Sequence, residues 1–168
     1  AQNSRRLLIE GSPKGFAADW LMWQAGPGFV ADAKSAIGSY DAIRVYLWLG
    51  MLAPDAPERK TLLAHFKPML EATAQLGHVP EQVDTKSGEA IGTGPVGFSA
   101  ALLPLLASDP STVTALAAQR ERLQQSPPLA DAYYTQSLLM FGQGWDEQRY
   151  RFDKDGRLQP NWTRPCAQ

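Results

Sequence analysis

The sequence has one cysteine, Cys166, near its end. A single thiol excludes an internal disulfide and any metal cluster built on several thiolates. Histidine is nearly as scarce: His65 and His78 stand far apart in unremarkable settings, which leaves no His-centred catalytic triad in view. An excess of one charge is also missing, with 16 Lys and Arg against 17 Asp and Glu and a net charge of −1. A nucleic-acid surface needs a basic excess, so that class of partner is excluded. No run of 18 apolar residues occurs, so no membrane insertion is expected, and the start Ala1-Gln2-Asn3-Ser4-Arg5-Arg6 has no hydrophobic leader. There is no Gly-x-Ser-x-Gly elbow and neither of the glycine-rich nucleotide loops. The run Gly92-Thr93-Gly94-Pro95-Val96-Gly97-Phe98 lacks the lysine and the preceding buried strand of a phosphate loop. It reads as a tight loop into a helix, its glycines letting backbone approach a groove.

What is present is a chain of 168 residues, 44% of them apolar, enough for one domain with a core. Arg5–Glu10 reads as the tail of a helix closed by Gly11 and Pro13. Gly15–Ile37 is punctuated by glycine and proline and reads as a long loop carrying a helical turn at Trp20–Trp23. The strongest helix signal starts at Tyr40, with Ser39 placed to cap it, and continues to Leu52, apolar nearly all round. A second helix follows Pro57 and ends at Gly77, with Pro68 predicting a kink. His78–Thr93 suggests a small hairpin or an extended excursion. Helices are expected at Val96–Leu106, Pro110–Gln125 and Ala130–Phe141, then a terminal hairpin around Asp155-Gly156. The class is all-α, and helix pairs without heptads fit a toroid or solenoid better than a coiled coil.

Aromatic residues lie beside carboxylates at Asp19-Trp20, Tyr40-Asp41 and Trp145-Asp146. A sugar ring has an apolar C–H face and a hydroxyl rim, so such neighbours suit carbohydrate, although core packing is the commoner role of buried rings. Asp41 falls in the expected first turn of the apolar helix, where the helix N-terminus and Arg44, three residues on, both favour the charged carboxylate. With the Tyr40 phenol beside it and Trp48 further down the same face, Asp41 is a candidate general base. Spacing alone does not separate that role from the commoner one, a helix-stabilising aspartate in an i, i+3 pair.

Five blocks in one order carry a resemblance: Lys14-Gly15-Phe16-Ala17-Ala18-Asp19-Trp20, Ser39 to Trp48, Phe66-Lys67-Pro68-Met69, Gly94 to Ala101, and Phe141-Gly142-Gln143-Gly144-Trp145-Asp146. In order and spacing they resemble the glycoside hydrolase family 8 endoglucanases encoded with bacterial cellulose synthase. The resemblance covers essentially the whole chain. It implies an (α/α)6 barrel, of which residues 1–168 would supply about the C-terminal half of a single catalytic domain, plus small β-hairpin excursions. The implied substrate is a β-1,4-glucan, cellulose or its oligosaccharides, cut with inversion and without a metal or organic cofactor.

By the same resemblance Asp41 is the catalytic base, Tyr40 helps place it and the attacking water, and Arg44 is its charge partner. Asp19 and Trp20 match a sugar-binding segment, Trp20 stacking on a ring, and Tyr133 and Tyr134 match a tyrosine pair on a late barrel helix. Ala18 stands where a proline usually precedes the Asp-Trp pair, a change expected to loosen the loop. An inverting mechanism needs a second carboxyl group about 6.5–9.5 Å from the base. The family's acid is a glutamate of the N-terminal half, upstream of Ala1, and no glutamate here stands in a matching motif. The N-terminal half is therefore the expected partner, and this chain a nicked or separately made portion of a longer enzyme. A periplasmic or secreted location is implied, with a signal peptide upstream. The alternative is a non-catalytic glucan-binding or helical scaffold module.

Overall fold

The computed structural model describes residues 2–32 and 36–161, so Cys166 lies outside the described residues. In chain order the elements are α1 (Gln2–Glu10), β1 (Leu21–Gln24), β2 (Gly28–Ala31), β3 (Ile37–Gly38), α2 (Ile43–Gly50), α3 (Arg59–His65) and α4 (Lys67–Leu76). There follow β4 (Gln82–Asp84), β5 (Ala90–Ile91), α5 (Val96–Leu106), a short 3-10 turn (Pro110–Thr112), α6 (Val113–Gln125), α7 (Tyr133–Asp146), β6 (Tyr150–Phe152) and β7 (Leu158–Pro160). The strands form antiparallel sheets at the edges of a helical body, in the orders β1-β2, β3-β4-β5 and β6-β7.

Three expectations need correction. The Trp20–Trp23 segment is not a helical turn: Leu21–Gln24 is a strand whose partner is Gly28–Ala31. Gly26 (φ 98°) and Gly28 (φ 86°) supply the positive φ that the reversal needs, and Pro27 between them cannot continue a helix. The helix after Pro57 is broken rather than kinked. Pro68 has no N–H to give, so it is tolerated only in a first turn; α3 ends, Phe66 leaves helical geometry (φ −93°, ψ 9°), and α4 restarts at Lys67. The third correction concerns the start of α2, at Ile43 rather than Tyr40, which places Asp41 in the turn that leads into the helix.

α5 is apolar on every side, and Gly97 through Leu106 are all buried, which makes it the axis of the core. It packs against α2, α6 and α7. Each fully buried Leu or Phe on it contributes about 1.5–3 kcal/mol by removal from water. Two glycines set the spacing. A Cβ on Gly50 would fall 2.2 Å from the Leu105 nitrogen, and one on Gly142 would fall 1.9 Å from the Ala100 oxygen, so α2 and α7 meet α5 backbone to backbone. Pro104 has no N–H for the carbonyl four residues back, which is that of Ala100, and the Gly142 backbone occupies the space beside this freed oxygen.

A buried polar chain ties the core to the loops. The Ser99 hydroxyl donates to Gln119 Oε1 (2.8 Å), and Gln119 Nε2 donates to the Gly77 carbonyl at the end of α4 (3.1 Å). Arg122 donates to Ser99 Oγ (3.0 Å) and to the Gly94 carbonyl (2.6 Å). Burial pulls its guanidinium below the usual arginine range. The loop before α5 is thereby fixed from α6, beside the tyrosines of the candidate site.

Candidate active site

The site is built on the loop after α1. Phe16 and Ala17 are buried, and the Ala17 N–H donates to the hydroxyl of Tyr46, a fully buried residue of α2 (2.8 Å). Two residues on, the Asp19 N–H donates to the Ile37 carbonyl of β3 (2.8 Å). These anchors hold the segment on either side of Ala18.

So fixed, the Asp19 carboxylate is aimed at the turn between β3 and α2. Its Oδ1 accepts from the N–H groups of Ser39 (2.7 Å), Asp41 (3.1 Å) and Ala42 (2.8 Å). The first N–H groups of any helix lack partners within the helix, and a carboxylate is a strong acceptor for them. Asp19 thus acts as the cap of α2 from 20 residues away. Ser39, expected as the cap, donates its hydroxyl instead to the Glu81 carbonyl (2.7 Å).

Asp41 rides on this turn. Its carboxylate pairs with Arg44, one helical turn on, and the two side chains are 46% and 50% exposed. An ion pair this open is worth about 0–1 kcal/mol and leaves the carboxylate in contact with solvent. Asp19, Trp20, Asp41 and Arg44 share a cleft of about 340 Å³ whose apolar wall includes Leu8, Ala17 and Val45. Trp20 stands at this cleft 68% exposed. Leu8, Arg44 and Val45 also line an adjoining apolar cavity of about 410 Å³ that reaches Trp48. One face of α2 therefore runs from a polar cleft to an apolar one.

Tyr40 lies on the other side of the same turn. Its ring meets Phe98 edge to face (5.0 Å) and Tyr134 at a tilt (6.0 Å). The Tyr134 hydroxyl donates to the Tyr40 carbonyl, and the Tyr40 hydroxyl donates to Glu81 Oε1 (3.2 Å). Burial, then the hydrogen bond to Glu81 and its charge, push the Tyr40 phenol above its ordinary range; burial does the same for Tyr134. Tyr133 is separate: its side chain is 80% exposed and, among the described residues, makes no hydrogen bond, ion pair or ring contact with the other six candidates.

The third aromatic and carboxylate pair is architectural. Asp146 takes two hydrogen bonds from the Arg120 guanidinium (2.9 and 2.7 Å), and Arg151 stacks over the Trp145 ring at 4.2 Å. Sequence reasoning missed Glu81, the partner of Tyr40, because only the pairing of β3 with β4 brings residues 40 and 81 together. Among the described residues no group of three or more His, Cys, Asp and Glu could hold a metal ion, and no helix is long and apolar enough to cross a membrane.

Helices packed around the apolar α5, with few small hairpins between them and an acidic, aromatic cleft at the start of α2, fit a fragment of an (α/α)6 toroid. The description Glycosyl hydrolases family 8 matches residues 1–148, and the chain belongs to that family. It is 50% identical to an endoglucanase of Salmonella typhi, over 99% of this chain and 44% of that protein. Endoglucanases of Escherichia coli (strain K12) and Xanthomonas axonopodis pv. citri (strain 306) are each 46% identical, again over 99% of this chain and 44% of theirs. Among solved structures, an endo-1,4-D-glucanase from Vibrio fischeri ES114 superimposes with a TM-score of 0.88 at 38% identity, covering 97% of this chain and 48% of that one. The chain thus spans less than half the length of these relatives.

Proposed function

We propose that this chain is the C-terminal half of an (α/α)6 catalytic domain that hydrolyses β-1,4-glucosidic bonds of cellulose with inversion, Asp41 acting as general base. The observation that carries the proposal is the turn before α2, where Asp19 holds the backbone of Asp41 so that a solvent-open carboxylate meets a cleft edged by Trp20. A base needs to be ionised, within reach of water and fixed in direction. Partial exposure admits water, Arg44 pairs with the carboxylate, and Asp19 fixes the direction.

In this mechanism Asp41 removes a proton from a water molecule as that water attacks the anomeric carbon. A carboxylic acid on the other face of the sugar protonates the departing glycosidic oxygen, at the separation of about 6.5–9.5 Å that leaves room for the water. That acid belongs to the N-terminal half of the enzyme, the partner this half requires. Trp20 offers its exposed ring to a glucose unit at the cleft, and Tyr40, Tyr134 and the exposed Tyr133 are assigned as further sugar contacts. No metal or organic cofactor takes part. The names of the relatives, all endoglucanases, support the substrate class, and a periplasmic or secreted location in cellulose production accords with it.

Proton NMR of cellopentaose hydrolysis by the full-length enzyme tests this. The α-anomer must form first, because inversion converts a β-linkage to an α-product; a first-formed β-anomer contradicts it. The exposed Trp20 also admits a second reading, a glucan-binding module without turnover. Calorimetric binding of cellopentaose with no release of reducing sugar would favour that reading.

A further inference from the structure

We infer that Glu81 is a positioning residue of the site, which commits the Tyr40 hydroxyl to accept, rather than donate, any further hydrogen bond. The inference rests on the hydrolase reading above. Its starting point is register. β3 and β4 pair with Ile37 opposite Asp84 and Gly38 opposite Val83, and continuing that antiparallel register by two residues sets Tyr40 opposite Glu81. Tyr40 and Glu81 lie just beyond the paired residues, so the pairing of β3 with β4 brings their segments together.

Both ends of Glu81 are engaged. Its carbonyl accepts from the Ser39 hydroxyl (2.7 Å), its N–H donates to the Gly92 carbonyl (3.4 Å), and its Oε1 accepts from the Tyr40 hydroxyl (3.2 Å). Gly92 (φ 68°) leaves the carboxylate room: a Cβ there would lie 3.2 Å from Glu81 Oε2 and 3.4 Å from its Cβ. Tyr40 is thus held at its phenol by Glu81, at its ring by Phe98 and at its carbonyl by Tyr134. A tyrosine hydroxyl has one proton to donate. With that proton directed to Glu81, the half-exposed phenol offers a ligand only its oxygen lone pairs. Any water or sugar hydroxyl that meets Tyr40 must then donate to it, which fixes the orientation of that partner. Glu81 acts through Tyr40 and touches neither water nor sugar in this scheme.

The test is a kinetic cycle in the full-length enzyme with cellopentaose. Glu81→Ala should lower kcat about tenfold with KM changed less than about twofold, the pattern of a lost transition-state interaction. Glu81→Gln keeps an acceptor oxygen and should restore kcat to within about threefold of wild type. In a Tyr40→Phe background Glu81→Ala should cause no further loss, because the two act as a unit. If Glu81→Ala is too unstable to assay, Glu81→Met keeps the bulk without the acceptor and must show the same fall. An unchanged kcat in the acceptor-free variant, a loss that Gln does not restore, or additive losses with Tyr40→Phe each overturn the inference. A wild-type enzyme without turnover contradicts the hydrolase reading itself, which separates the two failures.

Discussion

The backbone N–H of Asp41 donates to the Oδ1 of Asp19 at 3.1 Å, so the turn that carries one carboxylate is held by another. The same oxygen takes the N–H groups of Ser39 and Ala42, and the three bonds replace the local cap that α2 lacks. Hydrogen bonds to a charged acceptor are worth about 1.5–3 kcal/mol each, with neighbouring bonds less than additive. Asp19→Ala should cost about 3 kcal/mol of stability. Urea denaturation measures it. Asp19→Asn keeps one acceptor oxygen and should lose less than half as much.

Tyr46 links this turn to the core, since its buried hydroxyl accepts from the Ala17 N–H. Burial raises its phenol far above the ordinary range, so it is neutral throughout the working pH range. Tyr46→Phe preserves the edge-to-face contact with Phe66 but leaves a buried N–H without a partner. The expected cost is about 1–3 kcal/mol. Amide hydrogen exchange should show faster exchange at Ala17 while α5 stays protected.

The buried chain from Arg122 through Ser99 and Gln119 to Gly77 makes a separate prediction about stability. Gln119→Ala removes two buried hydrogen bonds and opens a cavity, and should destabilise the fold by about 2–4 kcal/mol in chemical denaturation. Gln119→Glu should be worse than an isosteric exchange ordinarily is, because the Gly77 carbonyl would then face an acceptor.

Asp84 supplies a pH signature. The Ser87 N–H (2.7 Å) and then the Lys86 N–H (2.8 Å) donate to its Oδ1 and hold its carboxyl below the usual carboxylate range. A depressed folded-state pKa adds stability that is present above the unfolded value and is lost as pH falls through the folded one. Melting temperature should therefore decline below about pH 4, where the unfolded aspartate begins to protonate. In Asp84→Asn the acid decline should be shallower.

How much of this was legible in the sequence depends on the range of the interactions. α5 was bounded to the residue because its signal is local: a run, apolar but for Ser99, behind Gly94-Pro95. The break at Phe66 was visible as Pro68 but misjudged, since whether a proline kinks a helix or restarts it depends on where the first turn falls. Leu21–Gln24 was missed because four residues are too few for a period, and its strand exists through pairing with Gly28–Ala31. Asp41, Arg44 and Trp20 were recognisable from their motif blocks, and the structure gathers them at one cleft. Tyr133 was named with Tyr134, yet only the latter reaches Tyr40. The cap by Asp19 and the contact from Glu81 span 20 and more residues, and no local pattern announces either.

The central claim is that Asp41 takes the proton from water, and Asp41→Asn in the full-length enzyme tests it most directly. The amide keeps the shape and the backbone bonds to Asp19 but cannot accept that proton. Turnover of carboxymethylcellulose should fall about 10³-fold while affinity for cellopentaose stays within about threefold of wild type. A variant that retains wild-type turnover would contradict the assignment.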